Sequence, residues 1–472
     1  MRVSATRLTL PLLAFALLAT GVPPVVLAQS AVAPAPIGEA YRGPADRLIA
    51  AAVGDSAAYT KLATLVDRFG HRLSGSASLE SAIDWILDEM RREQLDNVHG
   101  EPVRVPHWIR GRESAELVRP RPMALHMLGL GGSVATPAAG IAAPVLVVSS
   151  FEDLTAHAAE ARGRIVVFDV PFTTYDQTVR YRVGGASAAA RVGAVASLVR
   201  SVTPQSLRSP HTGQMVYDST GPRIPHAAVS VEDAMLLHRM QDRGEHPVVR
   251  LRMESHMLPD APSRNVVAEI TGSERPDEVV VLGGHIDSWD VGQGAMDDGG
   301  GAVAAWEAVR LMKVLGLRPR RTVRVVLWTN EENCGRGGIA YRDAHRASLD
   351  RHVLAIESDE GAFTPHGFAF TGSDAAHEIV RQVAALLAPI GGDSITHGGG
   401  EADIEPLMEA GVPGMALAVD GSRYFWYHHT DADTIDKLDP HQVALCVATL
   451  AVMAYVVADL PAPLPRAPSA AR

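Results

Sequence analysis

Cysteine is scarce in this 472-residue chain, where only Cys334 and Cys446 occur. Two cysteines cannot build a disulfide scaffold, and they argue against a cysteine-based metal site. The sequence does not decide whether the two cysteines pair with each other.

Runs of basic residues are also absent. The net charge is −11 and the charged residues are spread along the chain, so we expect no nucleic-acid partner and no anionic membrane partner. Hydrophobic residues make up 47% of the chain and charged residues 21%, which is the balance of a globular protein. The chain has more residues than usually fold around one hydrophobic core, and enough for two domains of unequal size.

The apolar stretch near the N-terminus is short. Arg2 and Arg7 precede the apolar residues Leu8–Leu18, and the small residues of Val26–Ala28 are typical of a cleavage site. The stretch is too short to span a membrane comfortably. We therefore predict that residues 1–28 are a signal peptide and that the protein is exported to the periplasm or the extracellular space. A buried N-terminal helix is the alternative.

The composition changes between about residues 123 and 260. Short apolar runs, such as Pro144–Val148 and Arg164–Phe168, alternate there with loops rich in glycine, serine, threonine and proline. This pattern predicts a separate, strand-rich module. Residues 461–472 are rich in proline and alanine and are predicted to form a disordered tail.

The residues on either side of that module read as alternating helices and strands. Residues 76–94 and 299–315 predict helices, and 103–105 predicts a strand that Pro102 and Pro106 keep short. From Asn265 onward, apolar runs predict strands covered by helices, over residues 266–270, 278–282, 323–328, 353–357 and 415–419.

Acidic and imidazole side chains follow four of these predicted strands. In an open α/β sheet, ligands bind in the crevice beyond the carboxyl ends of the strands, so we expect these side chains to meet there. In chain order they are His285 and Asp287, then Glu331 and Glu332, then Asp359, then His428 and His429.

Several carboxylates in one crevice need positive charge nearby, because like charges close together resist ionisation. Divalent cations provide it, and mixed histidine and carboxylate ligation with an open position is what catalytic zinc uses. Asp297 has small neighbours and could bridge two metals. Glu331 and Glu332 cannot point the same way from an extended segment, so one can ligate while the other acts as a general base. Asp287 is placed to orient the imidazole of His285.

Each of these segments also has an ordinary structural interpretation. His285 with Asp287 could form a surface turn, and Asp297 with Asp298 could cap a helix. Glu331 and Glu332, like Asp359, could be solvated loop residues. These interpretations are individually plausible, but all of them would have to hold at once.

The same segments closely resemble the carboxypeptidase Q group of the co-catalytic zinc aminopeptidase family, over about residues 40–460. The residues that carry the resemblance are Asn265–Glu274, Gly284–Gly299, Trp328–Asn333, Glu357–Gly361 and Tyr427–Thr434.

The resemblance implies a zinc-exopeptidase fold, a mixed α/β sheet flanked by helices. The module at 123–260 would be a protease-associated domain inserted between two parts of the catalytic domain, residues 29–122 and 261–460. Two Zn²⁺ ions would share Asp297, one of them also held by His285 and Asp359, the other by Glu332 and His429.

In this arrangement Glu331 would be the general base for the attacking water, with Asp287 assisting. His428 and Asp403 would be candidates for contact with the substrate, and the aromatic residues 424–427 line either that site or the core. The implied enzyme is a secreted metallopeptidase that hydrolyses dipeptides or short peptides, and an aminopeptidase acting on longer peptides is the alternative.

Two other classes share the fold, a receptor-like binding module and a glutaminyl-cyclase-like acyltransferase. The first is expected to lose ligands and the second to keep a single zinc, and a homodimer remains open.

Overall fold

A computed structural model describes residues 36–467, so the predicted signal peptide at 1–28 and the final residues 468–472 lie outside the described residues. The α-helices are α1 (Ile37–Val53), α2 (Ala57–Phe69), α3 (Ala77–Arg92), α4 (Phe151–Ala156), α5 (Ala158–Ala161), α6 (Tyr175–Arg191), α7 (Val231–Asp242), α8 (Gly300–Val314), α9 (Arg336–Ala344), α10 (Asp374–Ala384), α11 (Glu405–Glu409), α12 (Tyr424–Tyr427) and α13 (Pro440–Asp459).

The strands form two sheets of eight strands each among the described residues. They are β1 (Asp96–Ile109), β2 (Glu113–Arg119), β3 (Met123–Leu125), β4 (Met127–Gly129), β5 (Ile141–Val148), β6 (Ile165–Phe168), β7 (Ala196–Arg200), β8 (His226–Val229), β9 (Val248–Met253), β10 (His256–Ile270), β11 (Arg275–His285), β12 (Arg321–Trp328), β13 (His352–Glu357), β14 (Pro365–Thr371), β15 (Ser394–His397) and β16 (Gly414–Val419).

The first sheet has the order β1-β10-β12-β11-β13-β16-β14-β15, and its four central strands, β12, β11, β13 and β16, are parallel. Alternate residues of β11 face opposite sides. Val280 and Leu282 join the core beneath α8 and α13, whereas Val279 and Val281 join a second cluster with Tyr341. The continuous apolar strands are therefore covered on both faces, and the predicted mixed α/β sheet flanked by helices is confirmed.

Helix α13 is apolar on every side. Among the described residues it is the one helix whose length and composition would suffice to cross a membrane, and 83% of its apolar window is buried inside the protein. It packs against α1 and α8, as the core helix of a globular domain does.

Strand β1 is much longer than the predicted strand at 103–105. It runs from Asp96 to Ile109 and pairs with β10 in antiparallel register through both Pro102 and its neighbours. Because β1 is the outermost strand of the sheet, its prolines need not donate to a second neighbour. The prediction that the prolines end the strand was therefore wrong.

The second sheet lies between β1 and β10 in sequence, in the order β3-β2-β9-β5-β6-β7-β8-β4. Its strands run from Glu113 to Met253, and residues 113–253 are called here the second-sheet unit. The unit begins before the predicted boundary at 123. Its first strand is β2, which starts at Glu113 and pairs with β9, the last strand of the unit in sequence. The chain thus leaves the first sheet at Ile109 and returns to it at His256. Whether the unit is a protease-associated domain stays a prediction.

The described part of the C-terminal tail packs onto the protein. Leu464 is buried, the Ser373 hydroxyl donates to the Pro465 carbonyl at 2.7 Å, and the Arg466 guanidinium donates to the His352 carbonyl at 2.7 Å. The predicted disorder of 461–472 is therefore wrong for residues 461–467, because a composition rich in proline and alanine does not prevent single side chains from packing. Cys334 is exposed, Cys446 is buried in α13, and both are free thiols.

Candidate metal centre

The carboxyl ends of the parallel strands bring the predicted side chains together. His285 is the last residue of β11, Glu331 and Glu332 lie in the turn after β12, and Asp359 lies just beyond β13. Asp297 lies in the irregular turn Ala295–Gly299 that leads into α8. His428 and His429 follow α12, which comes after β16.

His285 faces two carboxylates with one ring nitrogen. Its Nε2 lies 3.2 Å from Asp297 Oδ1 and 3.1 Å from Asp359 Oδ1. Its Nδ1 lies 3.0 Å from the backbone oxygen of Asp287. A carbonyl can only accept a hydrogen bond, so Nδ1 donates to it and Nε2 is the ring nitrogen left to bind a metal.

His429 makes the matching set on the other side of Asp297. Its Nε2 lies 3.2 Å from Asp297 Oδ2 and 3.0 Å from Glu332 Oε2. The two oxygens of Asp297 therefore belong to different sets, and Oδ2 has no hydrogen bond although it is buried. One carboxylate joins two clusters of potential ligands.

The spacing of these atoms fits tetrahedral zinc. Zn–N and Zn–O bonds of 2.0–2.2 Å place two ligand atoms of a tetrahedron about 3.3 Å apart. The four contacts of His285 and His429 with carboxylate oxygens, at 3.0–3.2 Å, are close to that value. The nitrogen and oxygen ligands are also those that zinc accepts, so the residues fit the metal.

The electrostatics of the cluster also call for a cation. Burial raises the pKa of Glu332 to about 7, and burial together with the charge of Asp297 raises the pKa of Asp359. Burial opposes protonation of His285, but the carboxylates of Asp359, Asp297 and Glu331 together outweigh it and raise the pKa of the imidazole. Without a metal, the cluster keeps its charges in balance only by taking up protons.

Glu331 is placed differently from its neighbour. Its carboxylate lines the cavity over the cluster and makes no hydrogen bond to a described residue, whereas Glu332 accepts from the backbone N–H of Trp289 at 3.2 Å. Burial raises the pKa of Glu331 well above its ordinary value. A carboxylate oxygen of Glu331 also comes within 4.8 Å of ligand atoms of His285 and Asp359.

The Asp287 carboxylate does not hold the imidazole of His285 as predicted. It lies 3.8 Å from Nδ1, and the backbone oxygen of the same residue takes that hydrogen bond. The carboxylate accepts from the backbone N–H of Glu331 at 3.1 Å and from the Ser74 hydroxyl at 3.1 Å. Asp287 therefore fixes the turn that carries Glu331.

Asp297 and Asp298 were interpreted either as a metal-binding position or as a helix cap, and the two residues differ in this respect. Asp298 accepts from the backbone N–H of Gly301 at 2.9 Å, as a helix cap does, and from the backbone N–H of His285 at 3.0 Å. Asp297 faces both histidines. The capping interpretation holds for Asp298 and not for Asp297.

Two residues that shape this turn were not singled out from the sequence. The Asp433 carboxylate accepts from the backbone N–H groups of Ala295, Met296 and Asp297, at 3.1, 2.7 and 3.2 Å. Buried Arg72 donates to the carbonyls of Gln293 and Gly294, directly before the turn, at 2.8 Å each. Asp433 stands in the motif at 427–434, which was the one available signal. Arg72 has no local signal.

A cavity of about 490 Å³ opens over the cluster. His428 lines it, stacked on His429 with ring centroids 3.5 Å apart, and its Nε2 lies 3.6 Å from Asp297 Oδ2. Asp403 is fully buried outside the lining, with neither carboxylate oxygen hydrogen-bonded, so it has no surface to offer a substrate. Lining residues not predicted from the sequence are Tyr175, Asp176, Arg182, Glu360, Glu401 and Ala402.

Comparisons with known proteins agree with this geometry. Residues 265–454 match peptidase family M28. Carboxypeptidase Q of Xenopus laevis is 50% identical over 429 residues, which cover 90% of this chain and 92% of that protein.

Solved structures extend the likeness to the fold. The peptidase M28 precursor of Shewanella amazonensis is 36% identical, with a TM-score of 0.88 over 91% of this chain and 100% of that one. The zinc aminopeptidase of Bacillus subtilis has the same fold at 20% identity, with a TM-score of 0.65 over 84% of this chain and 94% of that one. This chain is therefore a metallo-exopeptidase that belongs to peptidase family M28 and, within that family, to the carboxypeptidase Q group.

Proposed function

We propose that this chain is a two-zinc exopeptidase that hydrolyses the peptide bond of free dipeptides. The observation that carries the proposal is the position of Asp297, whose two oxygens face His285 and His429 at 3.2 Å each. Asp359 would complete one ligand set and Glu332 the other. Zinc bound there would polarise the peptide carbonyl and make water a stronger nucleophile.

Glu331 is proposed as the general base. It lines the cavity, and within residues 36–467 its carboxylate makes no hydrogen bond that would hold it away from a substrate. Its backbone is fixed by Asp287 at 3.1 Å, which keeps the carboxylate facing the cavity. In this role Glu331 takes a proton from the attacking water and later gives it to the leaving amine.

The lining of the cavity supports a short, unblocked substrate. The second-sheet unit contributes Tyr175, Asp176 and Arg182, and a site walled by two parts of the chain limits substrate length and excludes water. Arg182 is the one arginine or lysine among the described lining residues, and Glu360 and Glu401 add carboxylates. A zwitterionic dipeptide offers a terminal charge of each sign for positioning.

A comparison of three substrates tests this proposal. We expect a high kcat/KM for one free dipeptide and a strong loss for its C-terminal amide and for a pentapeptide that shares its first two residues. Comparable values for all three would favour the alternative, an aminopeptidase that needs only a free N-terminus.

Two further parts of the proposal have their own tests. The number of zinc ions per chain separates the two other classes from a two-zinc peptidase. A receptor-like binding module is expected to have lost metal ligands, and a glutaminyl-cyclase-like enzyme is expected to bind a single zinc. Export would be supported by a mature N-terminus at Gln29 in protein collected outside the cytoplasm. Protein found only in the cytoplasm, with Met1 intact, would contradict it.

A further inference from the structure

His429 takes its contacts from two separate parts of the chain. Its Nε2 faces Asp297 and Glu332, whereas its Nδ1 lies 3.3 Å from the backbone oxygen of Thr212. The backbone N–H of Thr212 donates in turn to the carbonyl of His429 at 3.0 Å. Thr212 belongs to the second-sheet unit, between β7 and β8. Thr212 therefore contacts both the ring and the backbone of His429.

The backbone of His429 needs such a restraint. Its φ is +61°, in the left-handed region that residues with a Cβ rarely adopt. The hydrogen bond from Thr212 to the His429 carbonyl is made in this conformation. The second-sheet unit thus supports the conformation that turns Nε2 toward the carboxylates.

The hydrogen bond at Nδ1 sets the tautomer of the ring. The Thr212 carbonyl can only accept a hydrogen bond, so Nδ1 donates to it and Nε2 is the ring nitrogen left to bind a metal. The guanidinium of Arg182 lies 3.4 Å from both that carbonyl oxygen and Nδ1. Since Arg182 and the protonated Nδ1 are both donors, each donates to the shared carbonyl.

Arg182 is itself held in place. Its Nη2 donates to the Tyr175 hydroxyl at 2.8 Å, and its side chain is almost completely buried. A Cβ on Gly213 would come within 2.4 Å of the guanidinium carbon, so the backbone at Gly213 lies directly against Arg182.

Thr212 is anchored on its other side. Its hydroxyl donates to the Gly129 carbonyl at 2.7 Å and accepts from Arg110 at 3.2 Å. Arg110 also pairs with Asp290, which lies in the loop after β11 on the first-sheet side, at 2.9 Å. The Thr212 carbonyl is therefore fixed relative to both parts of the chain.

We infer that Thr212 and Arg182 are positioning residues for His429, so that the ligand set of Asp297, Glu332 and His429 is complete only with the second-sheet unit in place. The inference rests on the proposed two-zinc site. Groups that orient a metal-bound histidine typically contribute 10–100-fold to metal affinity.

Zinc affinity tests the inference directly. In the purified full-length chain, zinc is titrated in competition with a chromophoric chelator for the wild type, Arg182→Met, Arg182→Lys and Thr212→Val. We expect Arg182→Met to weaken one zinc by ~10–100-fold and to leave the other unchanged. Thr212→Val keeps the backbone groups that contact His429 and removes only the hydroxyl that anchors them, so it should weaken the same zinc by less. Arg182→Lys keeps a cationic donor near the Thr212 carbonyl and should recover part of the affinity.

Arg180→Met is the matched control, because Arg180 is exposed on the same helix and lies over Phe151 and Tyr181, away from the cluster. It should bind zinc as the wild type does. If Arg182→Met and Thr212→Val both keep wild-type zinc affinity, the inference is overturned. A raised KM for the dipeptide in Arg182→Met would then leave Arg182 with a role in substrate contact alone.

The test separates the inference from the proposed function. A wild-type chain that holds fewer than two zinc ions contradicts the two-zinc site. If its single zinc still weakens in Arg182→Met and not in Arg180→Met, the positioning role stands. If that zinc is unaffected by Arg182→Met, the positioning role falls as well.

Discussion

Glu331 and Glu332 are neighbours in sequence with different surroundings. The Glu332 carboxylate lies 3.0 Å from His429 and accepts from the backbone of Trp289, while Glu331 faces the cavity. An extended segment would turn the two side chains to opposite sides, but the two residues lie in a turn, so that reason for expecting them to differ does not hold. Sequence reasoning could not derive which one ligates, and only the family resemblance assigned Glu331 as the base.

Substitution of each glutamate tests this division. Glu331→Gln should keep the wild-type zinc content and lose ~10²–10⁴-fold in kcat, the usual contribution of a positioned acid or base. Glu332→Ala should lose zinc, because it removes a carboxylate that faces His429. Elemental analysis and single-substrate kinetics measure both effects. Equal zinc content in the two variants would show that the assignment within the pair is incorrect.

Other contacts of the site have no signal in the sequence. Thr212 and Arg182 reach His429 across 217 and 247 residues, and no local pattern marks either one. The proposed ligands could be named from the sequence, because most of them come soon after a predicted strand and all of them lie in the motifs that carry the resemblance. Asp287 was correctly expected to contact His285, but the sequence does not show whether its carboxylate or its backbone oxygen makes that contact.

His226 gives a residue-level prediction about acid stability. It is fully buried in β8, and burial lowers its pKa from 6.5 to about 4. Above pH 6.5 neither the folded nor the unfolded chain protonates this ring. Between pH 6.5 and 4 the unfolded chain takes up the proton and the folded chain does not, so acid favours unfolding by up to about 1.4 kcal/mol per pH unit.

Urea unfolding of the wild type and His226→Gln at pH 7, 6 and 5 measures this effect. The stability of the wild type relative to the variant should decline as the pH falls through this range. A difference that is the same at all three pH values would contradict the predicted burial effect.

At the scale of elements, the central strands were predicted well and the edge strands poorly. The predicted strands at 323–328, 353–357 and 415–419 match β12, β13 and β16 to within two residues. Strands buried on both faces are continuous apolar runs, which the sequence displays directly. Strand β15 is largely exposed and short, and β1 contains prolines, so neither carries that signal.

The end of β11 requires glycine. A Cβ on Gly284 would come within 2.3 Å of the Asp298 carboxylate and 2.7 Å of the Ala302 nitrogen, so the strand meets the start of α8 with no room for a side chain. Gly284→Ala should destabilise the fold by about 1–3 kcal/mol and displace the adjacent His285, with lower zinc affinity.

Gly184→Ala provides the control for that substitution. Gly184 lies inside α6, and a Cβ there would meet no atom within 4 Å. This variant should gain about 0.5–1 kcal/mol, because alanine favours a helix interior over glycine. Thermal unfolding of both variants measures the contrast, and equal effects would mean that the close approach at Gly284 is not real.

At the scale of the whole molecule, the second-sheet unit contributes both to the cavity and to the contacts of His429. The change of texture in the sequence could predict a separate module, because short strands and polar loops differ from regular α/β. A short strand over residues 113–118 could be predicted, but not its place in this unit, because its partner strand lies more than 120 residues later. The docking of this unit over the strand ends is a property of the folded chain alone.

Zinc content measured together with activity tests the central claim most directly. The purified chain should contain two zinc ions, lose dipeptide hydrolysis when a strong chelator removes them, and regain it in proportion to the zinc returned. Both ligand sets share Asp297, so removal of either ion should impair the reaction. Full hydrolysis by a chain that elemental analysis finds free of metal would contradict the account.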